Sequence, residues 1–219
     1  MKKNILSLLV AASVGLLTLN SCGKDKPLTS ESNEVTTTNE GQAYVLDTAT
    51  SKIEWKGYKV VKSDNTSHFG DIKFESGEIT VKDGKLESGK FVANMNTLAN
   101  RDITDDAEKS AKLDGHLKNE DFFEVEKFPT SSFEITKVTE ATEGDYNTLL
   151  DGNLTIKGIT KPVQFKANVK VEEGKVSIKT EPTDIKREDF GVKFQMPVAN
   201  GVIKNEVTVH VSIDASQLK

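Results

Sequence analysis

From about Tyr44 to the C-terminus, apolar and polar side chains alternate with a period of two. Ile53 and Trp55 are set among Lys52, Glu54 and Lys56. Ile72 and Phe74 fall among Asp71, Lys73 and Glu75, and Phe91, Ala93 and Met95 alternate with Lys90 and Asn94. The longest runs come later: Val163, Phe165, Ala167, Val169 and Val171 against Gln164, Lys166, Asn168 and Lys170, and then Val207, Val209, Val211 and Ile213. This is the pattern of half-buried antiparallel strands. Ser76-Gly77, Asp83-Gly84, Glu143-Gly144-Asp145, Lys157-Gly158 and Glu173-Gly174 stand as turn signals between the runs. Eight or more short strands joined by hairpins predict an all-β fold, a closed antiparallel barrel or a sandwich. A barrel of about eight strands has room for one small ligand.

Between Asn96 and Pro129 the period changes. Ala107, Ala111, Leu113 and Leu117 recur at helical spacing, which predicts a short helical insertion with Thr104 or Asp105 as its cap. Asp121-Phe122-Phe123 reads as a second short turn that ends before Pro129. Such an insertion either lies across a barrel mouth as a lid or covers a sheet edge.

The front of the chain has a different grammar. Met1-Lys2-Lys3 is followed by an uncharged apolar run, Ile5 to Leu19, which predicts a secretory signal over residues 1–21. The run is shorter than the ~20 residues of a spanning helix and no stop-transfer pattern follows it. Leu19-Asn20-Ser21-Cys22 resembles the lipobox of bacterial lipoproteins, with Asn20 an imperfect fit. That resemblance implies a lipidated Cys22 and a membrane-anchored protein of the bacterial cell envelope, facing the periplasm or the cell surface; the alternative is a free thiol in an ordinary signal. Gly23 to Gly41 has no aromatic residue and only Leu28 and Val35 as sizeable apolar side chains, so residues 22–42 are expected to form a flexible tether ahead of a folded domain at 43–217.

Composition narrows the function. Lys plus Arg is 29 and Asp plus Glu is 34, a net charge of −5, without the basic excess that would make nucleic acid a partner. One cysteine excludes an intramolecular disulfide and any multi-cysteine metal site. His68, His116 and His210 lie far apart with no zinc spacing, so no metal and no cofactor are expected. Neither a Gly-x-Ser-x-Gly elbow nor a cysteine nucleophile appears. Asp189-Phe190-Gly191 matches a kinase metal motif, but no glycine-rich phosphate loop or catalytic-loop phrase accompanies it. Asn65-Thr66-Ser67 and Asn153-Leu154-Thr155 fit a glycosylation pattern, yet in a bacterial lipoprotein they are best read as turn and strand residues.

Several phrases together resemble the YceI-like family. They are Ser51 to Trp55, His68-Phe69-Gly70, Gly115-His116-Leu117 through Asp121-Phe122-Phe123, Lys127-Phe128-Pro129 with Ser132-Phe133, Gly152 to Val163, and Arg187 to Gly191. The phrase from His116 to Phe123 followed by Pro129 is the most specific. The resemblance implies a lipocalin-like barrel in a periplasmic protein that binds polyisoprenoids and related amphiphiles. The lipoprotein-like front end departs from the family's simplest form.

An apolar cavity implied by that resemblance has candidate lining residues in Trp55, Phe74, Phe91, Met95, Phe133, Phe165, Phe190 and Phe194. Such residues otherwise simply make cores. Arg187 is a candidate for a phosphate or carboxylate headgroup, with Asp189 expected on the same strand face; the other reading is a structural ion pair or a set of bonds to backbone that fixes the segment from Arg187 to Gly191. His116 is a candidate gate, or orients the helical insertion by hydrogen bonding. The expected function is non-enzymatic binding, storage or transport of a polyisoprenoid or fatty amphiphile, with a homodimer left open. Two rivals stand beside it: a lipid-modifying enzyme using His68, His116 and Asp189, and a stress-protection or surface interaction module with a packed barrel.

Overall fold

The computed structural model describes residues 29–141 and 144–218. The secretory signal and Cys22 therefore lie outside the described residues, as does Glu143 of one expected turn. Ten strands form a single antiparallel sheet: β1 (Gln42–Leu46), β2 (Lys52–Val61), β3 (Asp64–Lys82), β4 (Lys85–Asn100), β5 (Thr130–Glu140), β6 (Thr148–Ile156), β7 (Ile159–Glu172), β8 (Lys175–Thr180), β9 (Thr183–Lys186) and β10 (Gly201–Gln217). Strands β2 to β8 pair in sequence, and β10 pairs with both β2 and β8 to close a ring of eight. β1 and β9 pair with β10 outside that sequence. The expected barrel with one short helix is the observed architecture.

Closure fixes which residues face inward. Across the seam Ile213 opposes Ile178, and along β2 Val209 opposes Trp55 and Val211 opposes Ile53. The predicted alternation of β7 and β10 therefore lies on the inner wall. Lys157-Gly158 and Asp83-Gly84 make two-residue turns in which both residues have positive φ, the geometry that matches the twist of paired strands. Ser76-Gly77 corrects one expectation: it is no turn but lies inside the 19-residue β3, where the register shifts between Phe74 and Ser76. Gly70 has no substitute at its position. A Cβ there would stand 1.9 Å from the Ala99 carbonyl oxygen and 2.7 Å from the Trp55 ring.

The two ends of the barrel are built differently. At one end Tyr44, Leu46, Ile79, Val81, Leu86, Val176 and Ala215 pack into a closed plug. At the other end stand the β2–β3 and β6–β7 hairpins, the insertion after β4 and the segment before β10. The insertion contains α1 (Ala107–Lys118). Its cap is Asp106, not Thr104 or Asp105: the Asp106 carboxylate accepts from the Lys109 amide at 2.9 Å. Asn100 ties the helix to the end of β4, donating to the Ser110 carbonyl at 3.0 Å and the Asp114 carboxylate at 2.7 Å. Turns follow the helix through Phe123, as the sequence predicts. Asn65 and Asn153 both lie in strands.

The segment expected to be a free tether is partly bound. The Glu31 amide donates to the Thr160 carbonyl at 2.8 Å and the Thr160 amide donates to Ser30 Oγ at 3.0 Å. Asn33 exchanges two bonds with the Asn153 side chain at 2.8 and 3.0 Å. Further along, the Thr36 amide donates to Thr136 at 2.9 Å and Thr38 to the Glu87 carboxylate at 3.0 Å. Residues 30–39 thus form a strap across the outside of β7, β6, β5 and β4. Its stabilisation comes from hydrogen bonds, which an apolar-content argument does not register.

Removing the Asn153 side chain tests the strap. Asn153→Ala is expected to cost about 1–2 kcal/mol in urea unfolding and to speed amide exchange selectively in residues 30–39.

Candidate functional site

The barrel interior above the plug is not filled. A cavity of about 570 Å³, in the range of small-molecule sites, runs from Phe165, Leu150 and Ile178 up to the open end. All eight residues predicted as lining stand on it: Trp55 on β2, Phe74 on β3, Phe91 and Met95 on β4, Phe133 on β5, Phe165 on β7, and Phe190 and Phe194 beyond β9. Phe133 and Phe165 meet edge to face at 5.2 Å, and Phe74 and Phe91 are tilted at 6.2 Å. Sequence reasoning missed further apolar contributors, among them Ile72, Leu154 and Ile156; the period-two pattern contained most of them.

Polar atoms in the wall are few and mostly engaged. The Thr180 hydroxyl accepts from the Val211 amide at 2.9 Å, and the Ser131 hydroxyl meets the Met95 sulfur at 3.4 Å. The Trp55 indole Nε1 is buried without a partner, the one such side-chain atom among the described residues. A wall of this kind offers hydrocarbon a dry surface.

The mouth is where polarity gathers. His68, on β3, holds the Asp102 carboxylate through Nδ1 at 2.7 Å and meets the Lys59 ammonium through Nε2 at 3.3 Å. Burial pushes the Asp102 carboxyl up, but bonds from His68 and the Phe69 amide outweigh it and hold the group below its ordinary value. His116, on α1, faces Asp121 at 3.0 Å and stands edge-on to Phe122 and Phe194 at 5.0 and 4.9 Å. His68 and His116 thus come to one rim, whereas His210 pairs with Glu54 through Nδ1 at 3.1 Å on the barrel wall. Leu113, His116 and Leu117 border the cavity, which gives the insertion a lid's position.

Arg187 borders the cavity too, but in a different setting from the one expected. Residues Arg187–Phe190 form a 3-10 turn rather than a strand, so Asp189 is exposed and does not share a face with Arg187. The guanidinium is buried and each of its nitrogens meets a backbone carbonyl: Nε meets Lys204 at 3.0 Å, Nη2 meets Ile203 at 3.1 Å, and Nη1 meets Val192. Glu188 stands 3.5 Å from Nη2. Burial lowers the guanidinium pKa and Glu188 opposes that shift, yet an arginine stays charged throughout the physiological range. The side chain bonds to backbone, one of the readings weighed for it from sequence, but it clasps the segment from Val192 to Lys204 rather than fixing Arg187 to Gly191.

Two outcomes follow from these geometries. Arg187→Met leaves three carbonyls without their donor and is expected to cost about 3 kcal/mol or more in urea unfolding, with Arg187→Lys recovering only part. Asp102→Asn is expected to lower stability by about 1–2 kcal/mol at pH 7. Because the folded value of Asp102 lies below its ordinary 3.8, that difference is complete above 3.8 and closes as the pH falls through the folded value; thermal melts of both proteins across the acid range would measure it.

Comparison with known proteins agrees with this architecture. A UPF0312 protein of Shewanella denitrificans is 30% identical over 191 residues, covering 77% of this chain and 92% of its own. Among solved structures, Burkholderia cenocepacia BcnA superposes with a TM-score of 0.58 at 18% identity, covering 78% of this chain and 99% of its own. A polyisoprenoid binding domain from Saccharophagus degradans, implicated in plant cell wall breakdown, superposes with a TM-score of 0.53 at 14% identity, covering 81% and 99%. At those identities the two structures share the fold. The YceI-like domain model matches residues 44–215, nearly the whole barrel, and the chain belongs to the YceI-like family.

Proposed function

We propose that this protein binds an isoprenoid-type or fatty amphiphile in its barrel, without chemical turnover, as a carrier or store in the bacterial cell envelope. The observation that carries the reading is the cavity: a volume of about 570 Å³, lined by aromatic and aliphatic side chains and open at one end. The Saccharophagus relative's polyisoprenoid binding supports the same class of ligand. Ten buried ligand carbons at ~0.8 kcal/mol each would contribute about 8 kcal/mol before ordering costs, so affinity should rise with chain length. A polar end would sit at the mouth, where Lys59, His68 and His116 stand. The backbone carbonyls that engage Arg187 make it a support of the rim in this reading rather than the headgroup's main partner. Lipid attached at Cys22 would keep the protein at one membrane.

Native mass spectrometry of the full chain, purified from a bacterial host and compared before and after organic extraction, tests this. A stoichiometric, extractable adduct is expected. Ala93→Phe, which adds a ring to the cavity wall, should reduce the adduct several-fold in a protein that still folds. Bare protein that also ignores added prenyl alcohols and fatty acids would defeat the reading.

A further inference from the structure

The strap fixes the end at which the preceding chain leaves the barrel. Glu31 lies at Thr160 and Lys161, beside the β6–β7 hairpin at the mouth, with 3.1 Å to the Lys161 ammonium. Asn39 and Glu40 lie at Ser88 and Lys82, near the plug. The chain thus runs from mouth to plug, and everything before Ser30 starts from the mouth. Seven residues, 23 to 29, separate Cys22 from Ser30. Fully extended they reach about 25 Å. A lipid on Cys22, as the sequence leads one to expect, would hold the open end nearer the membrane than the plug.

That same end carries a surface suited to a bilayer. The β2–β3 tip ends in Val60, Val61 and Lys62, and the Lys62 amide donates to the Asn200 carbonyl at 3.0 Å. Val202 pairs with Val60 across the sheet and is 50% exposed, and Val198 beside it is 52% exposed. The Lys56 and Lys204 ammonium groups lie over the Tyr58 ring at 5.4 and 5.6 Å. Valines at a tip, flanked by a tyrosine and lysines, place apolar groups where they enter the interface and cations where they meet headgroups. The insertion at the same end is acidic, with Asp105, Asp106 and Glu108 at the start of α1 and Glu120, Asp121, Glu124 and Glu126 after it, so an anionic surface favours the edge that carries Lys56, Lys59, Lys62 and Lys204 and repels the flank that carries α1. Val45 and Leu218 are also exposed at the plugged end, but the cavity does not open there and the strap leads away from it.

We propose that the mouth end of the barrel docks on a bilayer bearing anionic headgroups, with the β2–β3 tip and residues 198–204 as the contacting edge, so that the cavity opens toward the membrane. The loading of the cavity by this route rests on the lipid-binding reading above; the contact itself rests on the strap and the edge.

Hydrogen exchange of the full chain, with and without vesicles of phosphatidylethanolamine and phosphatidylglycerol, reads the contact. Exchange is expected to slow at least threefold in residues 58–64 and 198–204 and to stay unchanged in the plug-end hairpins around Gly84 and Gly174. A Lys62→Glu, Val202→Glu variant, at two positions that do not line the cavity, should lose the slowing while keeping any lipid adduct seen by native mass spectrometry. Slowing at the plug end, or no slowing at the mouth, overturns the proposal. Slowing at the mouth of a chain that carries no adduct and takes up no added lipid upholds the contact and defeats the lipid-binding reading, whereas an adduct without slowing does the reverse. If the double variant does not fold, the comparison of the two ends in the unaltered chain decides alone.

Discussion

Closure of the sheet where β10 meets β8 and β2 is the constraint on which the rest of the architecture depends. An open sheet could flatten one face against solvent. A closed ring of eight instead commits every second side chain to the interior, whether or not those side chains can fill it. Here they do not fill it: Phe74, Phe91, Phe133 and Phe165 meet as ring pairs across the lower interior, and the space above them stays open. An unfilled apolar interior forgoes packing contacts, so the barrel must be held by other means. The plug around Tyr44, Ile79 and Val176 is one, and the long antiparallel ladders of β3, β4 and β10 are another.

The same division explains how polar groups are placed. In the lower and middle barrel the wall keeps its few hydroxyls bonded within the protein, as at Thr180, and leaves hydrocarbon to face the cavity. Apart from the buried Arg187, which backbone carbonyls hold, the charged groups that border the cavity stand at the rim, where water can solvate them and a neighbouring group can hold them. His68 stands between Asp102 and Lys59, and Lys157 donates to the Phe122 carbonyl, tying the β6–β7 hairpin to the turn after α1. Charge moved deeper would lose its hydration without a partner to replace it.

What the sequence reveals of this molecule follows the range of the interactions. The period of two is local, so the strands and the lining residues they carry, such as Trp55, Phe74, Phe91, Met95 and Phe165, could be read from it, whereas Phe190 and Phe194 lie outside the strands and are reached through the family resemblance. Asp106 as the cap was one or two residues away from the expected Thr104 or Asp105, within the ordinary uncertainty of a helix end. Ser76-Gly77 has turn composition, yet the bulge in β3 uses it to bend a continuing strand, a choice made by the pairing with β4. The strap and the Arg187 clasp were hidden for a stronger reason. Their partners are carbonyls and amides far along the chain, Thr160 for Glu31 and Lys204 for Arg187, and backbone groups carry no signature in a sequence.

The two flanks of the mouth are secured by unlike forces, and that difference bears on how a ligand passes. On one flank Arg187 grips three carbonyls from a buried position, so displacing residues 192–204 would strand a desolvated charge together with its acceptors. On the other, α1 buries none of its residues and is held by the Asn100 bonds at its middle and by the rings of Phe122 and Phe194 around His116. Releasing α1 costs the Asn100 bonds and the ring contacts but strands no buried charge, whereas breaking the guanidinium clasp does. Local opening starts where the least is lost, so the flank bearing α1 yields before the flank bearing Arg187. On the proposed reading, an amphiphile's chain would pass beside α1, where His68 and His116 stand, while the segment held by Arg187 keeps its shape.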